Sequence, residues 1–229
     1  MTKLIIALLT IFIISCTSLV DRPKIDQDSQ DILNLSLDNS VGSDSTWRYH
    51  FKIPPINPSL VYNKKISSLE NQKFLKWQDS MRSILDTLEL FVVIDHKIDT
   101  LNAEEILDIL ETITSNKNNL DGKMNGDTSF NDALKELCNN KLDFDTLKSD
   151  KFITQFNYKI YSDRSFPNDK FKQIGRISFS KIGFSGKKDK AAVYTIFTCG
   201  RLCGNGRILF YEKIMGKWKY VKTWERWVS

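Results

Sequence analysis

The stretch TCGRLCGNG contains two cysteines and three glycines, and their spacing makes it the first candidate for a functional site in this sequence. Cys199 and Cys203 stand four positions apart among Gly200, Gly204 and Gly206. Such a stretch could clip a metal ion, form a redox pair, cradle a phosphate group, or be a turn stapled by a disulfide.

The spacing disfavours the first three chemistries. A zinc site needs four ligands, usually as two close pairs, and Cys138, His50 and His96 supply no second pair. A thioredoxin-like centre has two residues between its cysteines at a helix N-terminus, whereas three residues intervene here in a strand-rich region. A phosphate loop would continue into Lys, Ser or Thr and a helix, which this stretch does not. We therefore predict no metal and no cofactor.

We favour a disulfide between Cys199 and Cys203 that fixes the shape of a hairpin loop. Pairing of Cys138 with either of them is the alternative, although the apolar helix face around Cys138 indicates a buried free thiol. A five-residue ring contributes only about 2 kcal/mol through chain entropy. Because rigid surface loops often carry function, we predict a binding site here. Its candidate residues are Gly200, Arg201, Gly204, Asn205, Gly206 and, on the last strand, Trp227.

No catalytic residue is predicted. Ser178 and Lys181 have the spacing of serine-acylating enzymes, but they fall in a strand rather than at the start of a helix. Residues 121–132 partly resemble an EF-hand loop, yet Lys123 occupies a position where an oxygen ligand should stand. We interpret that segment as a polar turn.

The first residues predict export. Lys3 precedes a continuous apolar run over residues 4–14, then Ser15 stands before Cys16. The run is shorter than the roughly 20 apolar residues that cross a bilayer, so it is typical of a removable signal.

The sequence IISC, residues 13–16, resembles the lipobox of bacterial lipoproteins. The resemblance implies cleavage before Cys16 and acylation of that cysteine, which would anchor the protein in a membrane. In that family an aspartate after the cysteine retains proteins at the inner membrane. Thr17 stands there instead, so we expect the outer membrane of the cell envelope.

The rest of the chain predicts a tether and one domain. Residues 16–58 are mainly polar and form the tether, although Ile32, Leu33, Leu35 and Leu37 could dock on the core. Residues 59–229 form a single α+β domain, in which a helical N-terminal half packs on one face of a C-terminal four-stranded antiparallel meander. Hydrophobic periodicity predicts helices over 74–88, 103–112 and 130–139, a buried strand over 89–95, a strand within 151–162, and strands over 174–185, 190–198, 207–214 and 217–228.

The last strand is rich in aromatic residues. Trp218, Tyr220 and Trp224 are predicted to share one face, which we assign to the core, with Trp227 on the other. Trp227 is therefore the candidate for an exposed contact.

Charge and composition exclude one class of partner. The formal net charge is +5, and charged residues make up 27% of the chain, with both signs interspersed along it. This pattern lacks the basic stripe that nucleic-acid binding needs. We therefore expect a non-enzymatic envelope protein that binds a protein or a small ligand, or has a structural role; the alternative is an envelope hydrolase with a cleft between helices and sheet.

Overall fold

A computed structural model describes residues 25–43, 46–47, 76, 80, 87, 89–115, 128–139, 146–164 and 171–229. Several predictions lie outside these residues. They are the export signal with Cys16, His50, most of the helix over 74–88, and residues 121–127 of the segment resembling a calcium loop.

Six strands form one mixed sheet in the order β2-β1-β3-β4-β5-β6. They are β1 (Glu89–Ile94), β2 (Lys159–Ser162), β3 (Phe171–Phe184), β4 (Lys190–Gly200), β5 (Cys203–Ile214) and β6 (Lys217–Val228). β1 runs parallel to both of its neighbours, whereas β3 to β6 form an antiparallel meander. The helices of the described chain are α1 (Gln27–Val41), α2 (Ala103–Ser115) and α3 (Asn131–Cys138), with a 3-10 turn at Ser149–Lys151.

The α+β class is confirmed, but the predicted four-stranded antiparallel sheet is wrong, because two further strands extend the meander into a mixed sheet. Parallel strands are joined by long crossovers, so turn signals between neighbouring runs cannot reveal their pairing. The prediction that helices fill the N-terminal half and cover one face is also wrong. α3 begins at Asn131, in the second half of the chain, and helices lie on both faces of the sheet.

The predicted C-terminal hairpins are present, but β5 begins at Cys203, so Gly204, Asn205 and Gly206 lie in a strand and not in the predicted loop. Met215 and Gly216 form the two-residue turn between β5 and β6, with φ angles of 51° and 77°. Two consecutive positive φ angles are what the type I′ turn of a tight hairpin requires. The strand predicted over 89–95 and the helices over 103–112 and 130–139 are also present.

α1 covers one face of the sheet. Asp26 caps the helix by accepting a hydrogen bond from the Ser29 amide at 2.7 Å. Its buried apolar residues are Ile32, Leu33, Leu37 and Val41. The helix falls within residues 16–58, which we assigned mainly to a tether, and it provides the docking expected around Ile32 and Leu37.

Serines let α1 approach the sheet closely. Ser36 hydrogen-bonds the hydroxyl of Tyr211 at 2.9 Å, and Ser40 donates to Thr195 at 3.0 Å. Because these hydroxyls satisfy one another, the helix buries polar atoms without an unpaired group.

α2 and α3 cover part of the opposite face. Ile109, Leu134 and Leu137 are fully buried there, and the ring of Phe130 lies 5.1 Å from that of Phe210. α3 touches the backbone of β3, because a Cβ built at Gly183 would lie 2.0 Å from the carbonyl oxygen of Ala133. Glycine is therefore required at this crossing.

We predict that Gly183→Ala lowers the free energy of unfolding by about 3 kcal/mol, because the helix must move away from the strand. The measurement is chemical denaturation. Gly186→Ala is the matched control, since a Cβ there meets nothing within 4 Å, and its effect should stay within about 0.5 kcal/mol. Equal unfolding free energies for the two variants would contradict this packing.

Candidate functional site

The stapled loop joins β4 to β5. Cys199 and Cys203 form a disulfide with a Cα separation of 5.1 Å, while Cys138 is a free, half-buried thiol. Arg201 and Leu202 occupy the tip, and Leu202 is 86% exposed. The disulfide therefore closes a short turn at one end of the sheet.

Strand alternation divides the predicted binding residues between two faces. Gly206 and Trp227 are register partners, so they lie on the same face as Ile208, which packs under α2 and α3. Asn205 pairs with Phe197, which belongs to the core beneath α1. The structure thus brings Trp227 together with Gly204 and Gly206, which are strand residues of β5, and leaves Asn205 on the other side of the sheet.

Trp227 lies directly on the backbone of β5. A Cβ built at Gly206 would stand 2.2 Å from Nε1 of Trp227 and 2.5 Å from Oη of Tyr194. One built at Gly204 would stand 3.3 Å from Cζ3 of the same ring. Both glycines are therefore needed for the indole to rest on the strand, and the ring remains 37% exposed.

A chain of hydrogen bonds holds the indole in place. Nε1 of Trp227 donates to Oη of Tyr194 at 2.9 Å, and that hydroxyl donates to Oε1 of Glu105 at 2.8 Å. Burial raises the pKa of Tyr194 well above its ordinary value, and the bond to Glu105 raises it further. The hydroxyl consequently stays protonated and keeps donating.

Glu105 itself is fixed by a capping box at the start of α2. Its Oε2 accepts from the Asn102 amide at 2.9 Å, and its own amide donates to Oδ1 of Asn102 at 2.8 Å. The helix start therefore positions Trp227 through Glu105 and Tyr194.

Beyond α2, two rows of side chains form an open area that we call the hairpin face. The first row crosses the sheet through Ser178, Ile196, Gly206 and Trp227. The second row, nearer the disulfide, consists of Arg176, Thr198 and Gly204. Thr198 is exposed, so this end of the sheet is accessible.

The far side of the hairpin face carries an ion pair that our sequence analysis missed. Asp95 follows β1 and accepts from Arg176 at 2.9 Å and from the Ser178 hydroxyl. A signal was present, because Arg176, Ser178 and Ser180 repeat at the period of two expected for one side of a strand. Only the pairing of β1 with β3 places Asp95 beside them.

The predicted arrangement of aromatic residues on β6 is wrong. Trp218 packs in the core beneath α1, whereas Trp224 packs beneath α2 and α3. A bulge in β6, opposite Phe210 and Tyr211 of β5, reverses the inward and outward alternation of side chains between Trp218 and Trp224. A second bulge, opposite Gly206 and Arg207, places Trp227 on the same face of the sheet as Trp224.

His96 belongs to a separate polar cluster at the ends of β1 and β2. Its Nδ1 lies 2.8 Å from the Asp163 carboxylate and its Nε2 lies 2.7 Å from the Arg164 guanidinium. Burial opposes ionisation of Asp163, but hydrogen bonds from His96 and Ser162 outweigh it and lower its pKa. Because Arg164 can only donate, the neutral ring carries its proton on Nδ1. Both ring nitrogens of His96 are thus hydrogen-bonded to other residues. The Ser178 hydroxyl donates to Asp95 and not to His96.

Asp99, which pairs with Ser180 of β3, has an acidic surrounding. Partial burial raises the pKa of Asp99, and the charges of Asp95 and Glu105 raise it further. A carboxyl whose ionisation is opposed by its neighbours reports a negative local potential.

Comparisons with family models, with curated proteins and with solved structures find no match. Within the described ranges, no group of three or more histidine, cysteine, aspartate or glutamate residues could hold a metal ion. No helix in that part of the chain is long and apolar enough to cross a membrane.

We predict that the pKa of Asp99 lies above its ordinary value of 3.8 and falls in Glu105→Gln, because one opposing charge is removed. Carboxyl-detected NMR titration measures both values. The contribution of Asp99 to folding stability should be fully present below pH 3.8 and be lost as the pH rises through its raised pKa, since the folded state binds this proton more tightly. Glu104→Gln, an exposed neighbour at the start of α2, is the control. A pKa at or below 3.8 in the wild type would contradict the acidic surrounding.

Proposed function

We propose that this protein is a lipid-anchored binding protein of the bacterial cell envelope, held at the outer membrane through Cys16. It binds its ligand on the hairpin face and does not change it chemically. The anchor is supported by residues 13–16, which fit every position of a lipobox.

The observation that carries the binding function is the seating of Trp227. An indole laid on two glycines, hydrogen-bonded at Nε1 and still 37% exposed, is a preformed contact surface. Preformed surfaces bind more tightly because little conformational entropy is lost on association. The adjacent disulfide fixes the loop that borders this surface.

An envelope hydrolase is the second candidate function. The observation that favours it is the electrostatic coupling of Asp99 with Asp95 and Glu105, since a carboxyl of raised pKa can act as a general acid. Against a serine-hydrolase mechanism, His96 is engaged at both nitrogens by Asp163 and Arg164.

Photo-crosslinking in bacterial cells that make the full chain tests the proposed function. A benzophenone amino acid replaces Thr198 in one variant and Met215 in the matched control, which is 98% exposed at the other end of β5. The membrane fraction is irradiated, digested and mapped by mass spectrometry. We expect adducts at position 198 above those at position 215, and an acylated peptide that begins at Cys16.

The two parts of the proposal fail separately. An unprocessed or unacylated Cys16 would contradict the anchor. An adduct yield at position 198 no higher than at position 215 would contradict binding on the hairpin face.

A further inference from the structure

The hairpin face has the dimensions of an extended ligand rather than of a single small group. Its first row runs from β3 to β6 and therefore crosses three interstrand spacings, about 14 Å in all. Trp227 stands at one end and the ion pair of Asp95 with Arg176 at the other. Between them lie Ile196, which is partly buried, and Thr198, which is exposed, whereas Gly204 and Gly206 lie beneath the indole.

The two ends offer different interactions. The exposed indole of Trp227 presents an apolar surface that can stack against a flat set of C–H groups. Arg176 offers donors, and Thr198 offers a hydroxyl that both donates and accepts. A ligand that fits both ends needs an apolar face together with several hydroxyl or amide groups.

The charges around the hairpin face argue against an anion. Arg176 is paired with Asp95, and Arg226 is paired with Asp108 of α2. Glu105 adds further negative charge between these pairs. The charges of Arg176 and Arg226 are thus already neutralised by carboxylates, so an anionic ligand would have to compete with Asp95 and Asp108 for them.

A cation gains little here either. The carboxylate of Asp95 already accepts from Arg176 and Ser178, and that of Glu105 already accepts from Asn102 and Tyr194. A cationic group would have to compete with these protein donors. Paired charges instead present donors and acceptors with little net charge, which suits a neutral polar ligand.

We infer that the hairpin face binds a neutral carbohydrate, a short oligosaccharide with one sugar ring stacked on Trp227 and its hydroxyl groups bonded to Thr198 and Arg176. A pyranose ring combines an apolar C–H face with a rim of hydroxyls, which is the combination that this surface offers. The inference rests on the proposed function, because it names the ligand class of the same surface.

The test is binding of the full chain in mild detergent to an array of neutral oligosaccharides, α- and β-linked hexoses and N-acetylhexosamines. The oligosaccharides that bind are then titrated by isothermal titration calorimetry. We expect at least one to bind the wild type, and Trp227→Ala to weaken its affinity at least about tenfold. Trp227→Tyr should retain binding because it keeps an aromatic ring.

A second variant keeps the test decisive if Trp227→Ala does not fold. Thr198→Gln places a longer neutral side chain on an exposed strand position and should also weaken affinity at least about tenfold, while Trp227 itself is retained. Tyr220→Ala is the matched control, because Tyr220 is 42% exposed on β6 and contacts Tyr211 on the opposite side of the sheet. Its affinity should equal that of the wild type.

Failure of every neutral probe, or binding that survives both Trp227→Ala and Thr198→Gln, would overturn the carbohydrate inference. A lysine-rich peptide and an acidic oligosaccharide are titrated in parallel, and preference for either would also overturn it. In those cases a crosslink at position 198 would still support the proposed function. Cleavage of a bound neutral oligosaccharide, lost in Asp99→Asn, would support the ligand class and overturn the non-enzymatic function.

Discussion

Burial of the central strands on both faces is the constraint on which the rest of the structure depends. Side chains of β4 and β5 point alternately into two cores, with Val193 and Leu209 beneath α1 and Tyr194 and Ile208 beneath α2 and α3, so helices must cover both faces. α1 meets this need with serines that bond the sheet, and α3 meets it by direct contact with Gly183. Because α2 and α3 cover only part of their face, the hairpin face stays accessible.

Glu105 connects that packing to the surface we assign to the ligand. The same carboxylate completes the capping box of α2 and accepts from Tyr194, which in turn accepts from Trp227. These hydrogen bonds share the Tyr194 hydroxyl and the Glu105 carboxylate, so they polarise and strengthen one another. The exposed ring is consequently positioned by the start of a helix, whereas the stapled loop only borders it.

Local features of this fold are predictable from the sequence because they depend on neighbours in the chain. The capping box, the turn at Met215 and the disulfide all arise within a few residues. The six-stranded order, the reversal between Trp218 and Trp224, and the position of Asp95 are not predictable in this way. They depend on parallel pairing across long connections and on bulges, neither of which leaves a periodic signal. The side of the proposed binding surface that consists of Arg176 and Ser178 of β3 with Asp95 was therefore missed.

The most direct measurement is the NMR order parameter of the Trp227 indole N–H group, compared between the wild type and Tyr194→Phe. A ring seated on Gly206 and bonded to Tyr194 should give a value near that of rigid backbone, about 0.85, and the variant should lower it. A wild-type value below about 0.6, or one unchanged in Tyr194→Phe, would contradict a preformed binding surface.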